Sequence, residues 1–346
     1  MKFSEIIGHQ EAIDQLRRAH SAGRISHALL LVGPPSVGKS SLANALASTL
    51  LCEKGDQLGD PCGKCSSCQR MGANGHPDLT ELAPEGAGEI ISIKTLRERV
   101  FSTAIYAPAI APKKVFLLNR ADRLGSDASH SLLKILEEPP PYVNFILTSD
   151  STEMILGTIL SRCRIMRVGT VSQVEIANAL HSRFGIDPER AALFASYADG
   201  APGKAIALAQ DPDQADSLDE LAQFCEDLGG ASEAQALRMA ERFRELASRS
   251  KKSGEEDRSS RLAFVVAFDM LAGWLRDAIA LSVSSDCDIP LRYSNREPAL
   301  RKLAVRMGSS HLRYALESVF EIRSAILGNA NAQLATEWLF SSILSK

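Results

Sequence analysis

Gly33-Pro34-Pro35-Ser36-Val37-Gly38-Lys39-Ser40 follows the pattern Gly-x4-Gly-Lys-Ser, and no other stretch constrains the fold as tightly. Its glycines let successive backbone N–H groups curl around phosphate oxygens. Lys39 reaches the outer phosphates, and the Ser40 hydroxyl can ligate Mg²⁺. Such a loop requires a buried strand before it and a helix opening after it. Ala28-Leu29-Leu30-Leu31-Val32 reads as that strand, and Ser41 to Leu51 reads as that helix. Gly33 through Ser41 is therefore the expected nucleotide-binding segment. The alternative, a chance Gly-rich turn, does not account for the strand and helix on either side.

A second segment conflicts with the first. Lys114-Val115-Phe116-Leu117-Leu118 is a short buried strand that ends in Asn119-Arg120. A hydrolysing P-loop enzyme places an Asp there to hold Mg²⁺, commonly followed by a Glu that polarises water. Asn119 carries no charge to offset Mg²⁺, and Arg120 cannot accept a proton from water. Asp122 falls two or three residues too late to substitute. The expectation is a loop that can hold ATP or ADP with weak or absent Mg²⁺ dependence and does not hydrolyse it well.

At 346 residues the chain is long enough for two or three domains. The formal charge of −3 gives no broad basic excess for autonomous nucleic-acid binding. Met1 to Gln10 mixes charged and polar residues where a secretory leader needs an apolar run. The longest apolar stretch, Leu262 to Leu275, is interrupted by Asp269 and is too short to span a bilayer. A cytoplasmic protein with no membrane partner is expected.

Seven cysteines are present, and four of them, Cys52, Cys62, Cys65 and Cys68, crowd into one segment. In a reducing compartment this C-x2-C-x2-C run with a fourth cysteine reads as a metal site rather than as disulfides. Two-residue spacers let thiolates converge on one ion, and Pro61 and Gly63 supply the turn. Four thiolates favour structural Zn²⁺. An iron–sulfur cluster is the competing metal, although the ferredoxin ending C-x3-C-Pro is absent; metal-free thiols are the third reading. His76 is read as a surface residue, because four sulfurs already fill a zinc shell.

Apolar strands near Leu79–Leu82, Val115–Leu118, Phe145–Thr148 and Ile165–Val168 join the one at Leu29–Val32, with helical patterns between them. This alternation predicts a parallel sheet covered by helices. The helix Asp127 to Glu138 is stopped by Pro139-Pro140-Pro141, and Glu137 and Glu138 are a helix end rather than a catalytic pair. After Val168 only helices are expected: one capped by Ser172, one from Pro188 to Tyr197 and one from Lys204. Asp211-Pro212-Asp213-Gln214 reads as a linker and Ser250 to Asp257 as a polar loop. The final helices are expected near Leu262–Val283, His311–Leu327 and Gln333–Leu344. The expected domains are an α/β P-loop domain over 1–168 with an insertion at about 52–68, a helical lid over 169–210, and an all-α domain over 211–346.

Together these segments resemble the AAA+ subunits of the bacterial DNA polymerase III clamp loader, most closely the delta-prime type. The residues that carry the resemblance are Ile6-Ile7-Gly8-His9-Gln10, Ser26-His27-Ala28, the P-loop and the four-cysteine insertion. They continue with Lys113-Lys114-Val115, Leu132 to Pro140, Phe145-Ile146-Leu147-Thr148 and Thr158-Ile159-Leu160-Ser161-Arg162-Cys163. A weaker match, Asn329 to Leu334, lies near the C-terminus. The resemblance implies a RecA-like AAA+ domain with a zinc insertion, a small helical lid and a helical collar. It implies gamma/tau and delta subunits as neighbours in a hetero-oligomeric ring, with the sliding clamp and primer-template DNA met through the assembly.

The resemblance also assigns roles. Arg162, in Ser161-Arg162-Cys163, becomes an arginine finger offered in trans to a neighbour's ATP; pairing with a surface carboxylate is its plainer alternative. Cys163 is read as packed rather than nucleophilic. The lid arginine that senses the γ-phosphate is replaced by Gly203, with Lys204 one residue away. Ser149, among Thr148, Ser149 and Asp150, is the expected sensor on the strand, and Lys134 faces DNA or solvent. Competing functions are a gamma/tau-like ATPase motor, opposed by Asn119, Arg120 and Gly203, and a stand-alone zinc-dependent DNA-binding module.

Overall fold

In the computed structural model the described residues are 1–54, 59–73, 75–85, 90–249, 258–283, 291–328 and 330–345. The chain divides into two compact units. One comprises Met1–Ala179 with Gly200–Lys204, the other Leu180–Asp199 with Ala205–Lys346.

The first unit is built on five parallel strands: β1 (Ala28–Val32), β2 (Leu79–Leu82), β3 (Lys114–Leu118), β4 (Val143–Ser149) and β5 (Arg164–Arg167), in the order β2-β3-β4-β1-β5. β1 lies between β4 and β5, with Leu30 opposite Leu147 on one side and Ile165 on the other. The central strands are buried along their length because the side chains alternate between two cores. Leu29, Leu31, Val115, Leu117 and Ile146 face one core, which the helix Lys39–Leu50 covers through Leu42, Leu46 and Leu50. Ala28, Leu30, Phe116, Leu118, Phe145 and Leu147 face the other, where the helix Ser126–Glu137 inserts Leu132 and Leu136. All five strands stand where the apolar runs placed them.

The second unit is helical. Phe224, Phe243, Phe268 and Phe340 form its aromatic centre, with the Phe243 ring 5.0 Å from Phe268 and 5.3 Å from Phe340. Two details differ from the sequence reading. Asp211 to Gln214 is not a linker: Pro212 opens the helix Pro212–Leu228, a position where proline's missing N–H costs nothing. The helix expected from His311 begins at Glu297 and runs to Leu327, interrupted at Gly308, whose φ of 70° no helical residue adopts. The polar loop at 250–257, Cys287 and Asn329 lie outside the described residues. Among the described residues no helix is long and apolar enough to cross a membrane.

Candidate functional site: a P-loop and a four-cysteine cluster

The sheet order places the P-loop at the C-terminal end of β1, between the ends of β4 and β5. Gly33 donates its N–H to Ser149 O (3.2 Å), and Val168 donates to Val32 O (2.7 Å). A Cβ at Gly33 would lie 1.9 Å from Val168 O, so no other residue fits there. From the N-terminal segment His9 reaches the loop, with Nε2 2.8 Å from Val37 O. From the far side Gly203 donates its N–H to Ser36 O (2.9 Å), and a Cβ at 203 would come equally close to that oxygen. The position read as a lost lid arginine is thus packed against the loop backbone, where a side chain has no room without movement.

Lys39 is nearly buried, and its three ammonium protons are all engaged. Nζ donates to Gly33 O (2.7 Å), Pro34 O (2.6 Å) and Asp150 Oδ1 (2.7 Å). Ser40 Oγ lies 3.3 Å from Asn119 Oδ1, and Thr148 Oγ1 donates to the same oxygen at 3.4 Å. The amide of Asn119 therefore stands beside the hydroxyl expected to ligate magnesium, where a carboxylate would serve such an ion. Arg120 takes a left-handed backbone conformation (φ 56°) and donates its N–H to Thr148 Oγ1 at 3.1 Å. Ser149, the expected sensor, is buried, with its hydroxyl 2.5 Å from Ser151 O and 3.1 Å from Asp122 Oδ1. Asp150, one residue on, is the group that reaches Lys39. Asp150, His9 and the close approach of Gly203 were not singled out by the sequence as parts of this pocket.

Arg162 ends the turn before β5. Its guanidinium is 32% exposed, donates to Thr158 O (2.9 Å) and pairs with Glu137 Oε1 at 2.5 Å. Glu137, at the end of its helix, thereby anchors the arginine. Cys163 packs against the second sheet core, and burial pushes its thiol up to about 11, which leaves it unreactive. His27 Nε2 sits 3.1 Å from Leu136 O at the start of β1. Lys134 lies in the last turn of its helix.

The cysteine cluster hangs from the C-terminal end of the P-loop helix. Cys52, Cys62, Cys65 and Cys68 bring their Sγ atoms within 4.8 Å of one another, and Cys62 and Cys68 are 3.9 Å apart. A tetrahedral ion with Zn–S bonds of about 2.3 Å requires sulfurs about 3.8 Å apart, so the residues fit a metal such as zinc. Backbone N–H groups converge on the sulfurs: Cys62 N–H on Cys52, Lys64 and Cys65 N–H on Cys62, and Cys68 N–H on Cys65. The donors from Lys64 and Cys65 pull the Cys62 thiol down to about 6, while burial pushes Cys68 up to about 12. One sulfur is thus a ready thiolate at neutral pH, and a cation would draw the remaining protons off.

His76 is not on the surface. It is buried, with Nε2 2.6 Å from Ser67 Oγ and Nδ1 accepting the Asp78 N–H at 3.0 Å. Ser67 Oγ in turn donates to Leu51 O (2.5 Å). Burial lowers the pKa of His76, consistent with the neutral ring these bonds require. The histidine does not ligate; it braces the insertion against the entry to β2. A lone histidine outside a metal shell carries no sequence signal for this role.

Parts of the chain are similar to known proteins. Residues 8–172 match the family described as "DNA polymerase III, delta subunit". The chain is 38% identical over 162 residues to DNA polymerase III subunit gamma/tau of Mycobacterium bovis, covering 46% of this chain and 27% of that protein. It is 38% identical over 164 residues to subunit delta' of Haemophilus influenzae, covering 47% and 48%. A gamma subunit-related protein of Thermotoga maritima aligns in structure at 17% identity and a TM-score of 0.44, over 96% of this chain and 99% of that one. The match thus spans between about a quarter and half of the length of these two sequence relatives. Residues 8–172, which carry the P-loop, the five-stranded parallel sheet and the cysteine cluster, are thus similar to subunits of DNA polymerase III named gamma/tau and delta'.

Proposed function

We propose that this chain is a delta-prime-type clamp-loader subunit that binds nucleotide weakly, does not turn it over, and serves a neighbour's ATP through Arg162. The observation that carries this reading is Asn119 beside Ser40. Mg²⁺ in a hydrolysing site is held by the loop hydroxyl and a carboxylate together, and an amide contributes no charge to that pair. Arg120 stands where a water-polarising carboxylate would, and a guanidinium cannot accept a proton from water. Arg162 pairs with Glu137, but both side chains reach solvent, which leaves the guanidinium accessible to phosphates from another subunit.

Zinc, held by Cys52, Cys62, Cys65 and Cys68, would crosslink the end of the P-loop helix to the turn that follows. The division into a P-loop domain at 1–168, a lid at 169–210 and a collar at 211–346 belongs to this proposal. So do the gamma/tau and delta subunits as ring neighbours and the sliding clamp on primed DNA as the assembly's cargo.

A gamma/tau-like motor is the second reading, favoured by the intact loop and by the identity to a gamma/tau protein. Steady-state ATPase of the isolated chain separates the two. The non-motor reading predicts no Mg²⁺-dependent turnover above background, and turnover at motor-like rates would overturn it. Restoring acids with Asn119→Asp and Arg120→Glu should raise turnover if only these groups are missing.

A further inference from the structure

We propose that Asp150 determines which phosphate chain this loop accepts. Its carboxylate stands where the outermost phosphate of a nucleoside triphosphate would have to bind, so the pocket disfavours a triphosphate relative to a diphosphate. The inference rests on the reading of Gly33–Ser40 as a nucleotide loop. A P-loop lysine grips the outer phosphate oxygens. Here Asp150 Oδ1 holds that lysine at 2.7 Å, and Gly33 O and Pro34 O take its other two protons.

An incoming outer phosphate must therefore displace the carboxylate or share Lys39 with it. The Lys39 side chain is only 8% exposed, so the pair is poorly screened on that side. Asp150 is 35% exposed, which gives the carboxylate a path out towards solvent. The surroundings add to the conflict. Asn119 brings no charge to hold a neutralising Mg²⁺, and the Ser149 hydroxyl, which could have bonded a terminal phosphate, is taken up by Ser151 O and Asp122. A phosphate chain ending one group earlier leaves more distance between its last charge and Asp150, and repulsion falls with that distance.

The test is calorimetric titration of the full chain with ATP and with ADP, each with Mg²⁺ and with chelator, for the wild type, Asp150→Asn and Asp150→Ala. Wild type should prefer ADP. Both variants should tighten ATP binding by about tenfold, the scale of one charge-assisted hydrogen bond, and ADP binding by clearly less. Adding Lys39→Ala to Asp150→Asn should abolish the gain. Unchanged or weaker ATP binding in the variants, or equal gains for ATP and ADP, would overturn the proposal. A loss confined to the Mg²⁺ condition would instead make Asp150 a metal ligand. No nucleotide binding by any of these chains would remove both this inference and the nucleotide reading of the loop. The delta-prime reading is checked separately by co-purification of the same proteins with clamp-loader subunits. Mg²⁺-dependent hydrolysis by the wild-type chain alone would sink the non-motor reading while leaving the ATP/ADP comparison intact.

Discussion

Asp78→Asn should destabilise the sheet-containing unit by removing a buried carboxylate that holds three backbone N–H groups. The Asp78 carboxylate is buried and accepts three backbone N–H groups: Ala109 at 2.6 Å on one oxygen, and Ile110 and Ala111 at 2.9 Å on the other. It thereby ties the loop leading into β3 to the entry of β2. An amide keeps one acceptor oxygen. Its NH2 group must face at least one of the three donors, and the bonds that survive lose their charge. Losing one charge-assisted bond and weakening two amounts to about 2–4 kcal/mol. In a unit of this size that is a drop in Tm of roughly 5–15 °C.

The effect carries a pH signature. Burial alone would raise the pKa of Asp78, but the N–H groups of Ala111, Ala109 and Ile110, with the nearby His76, hold it below the ordinary aspartate value. A depressed folded pKa contributes stability that is fully present above the unfolded aspartate pKa and is lost as pH falls through the folded one. Urea unfolding of wild type and variant should therefore show a gap that is widest near neutral pH and closes in acid. A gap under about 0.5 kcal/mol, or one that does not change between pH 7 and pH 3, would refute the reasoning.

The cluster should bind one zinc ion per chain, and Cys65→Ser should release it while leaving the sheet folded. Metal analysis of reduced protein with no zinc, or an iron–sulfur absorption band, would contradict the assignment. Gly203→Arg should fail to restore a γ-phosphate sensor and should weaken nucleotide binding, since its Cβ meets Ser36 O at 2.9 Å; tighter ATP binding in titration would count against that packing argument. His76→Ala should loosen the 52–76 segment, read as faster amide exchange there than in β1, because Ser67 and the Asp78 N–H lose their shared partner.

How much of this was legible in the sequence follows from the range of the forces involved. The five strands and the P-loop helix are written in local apolar runs and their boundaries, so Leu29 to Val32 and Val115 to Leu118 could be placed without a structure. The cysteines could be grouped because two-residue spacing is itself a geometric statement. The linker at Asp211 was misread because a proline after an aspartate serves a turn and a helix start equally well, and only the helix behind it decides. His76 was misplaced because its partners, Ser67 and Asp78, signal nothing in the chain. Asp150 is not separable from Ser149 by pattern alone, because it lies one residue past the end of β4. Which of them meets Lys39 depends on where β4 ends relative to the loop. Gly203 was read as an absence, whereas the fold uses it as a close contact.

The central claim is that Arg162 works on a neighbour's nucleotide while Lys39 holds one that is not turned over. Arg162→Ala and Lys39→Ala should be compared in the same reconstituted loader, by ATPase stimulated with clamp and primed DNA. Arg162→Ala should assemble normally and lower the turnover that depends on this subunit's interface, on the order of tenfold or more given what arginine fingers contribute. Lys39→Ala should change turnover far less. If Lys39→Ala abolishes turnover and Arg162→Ala leaves it intact, the chain is a motor and the account is wrong.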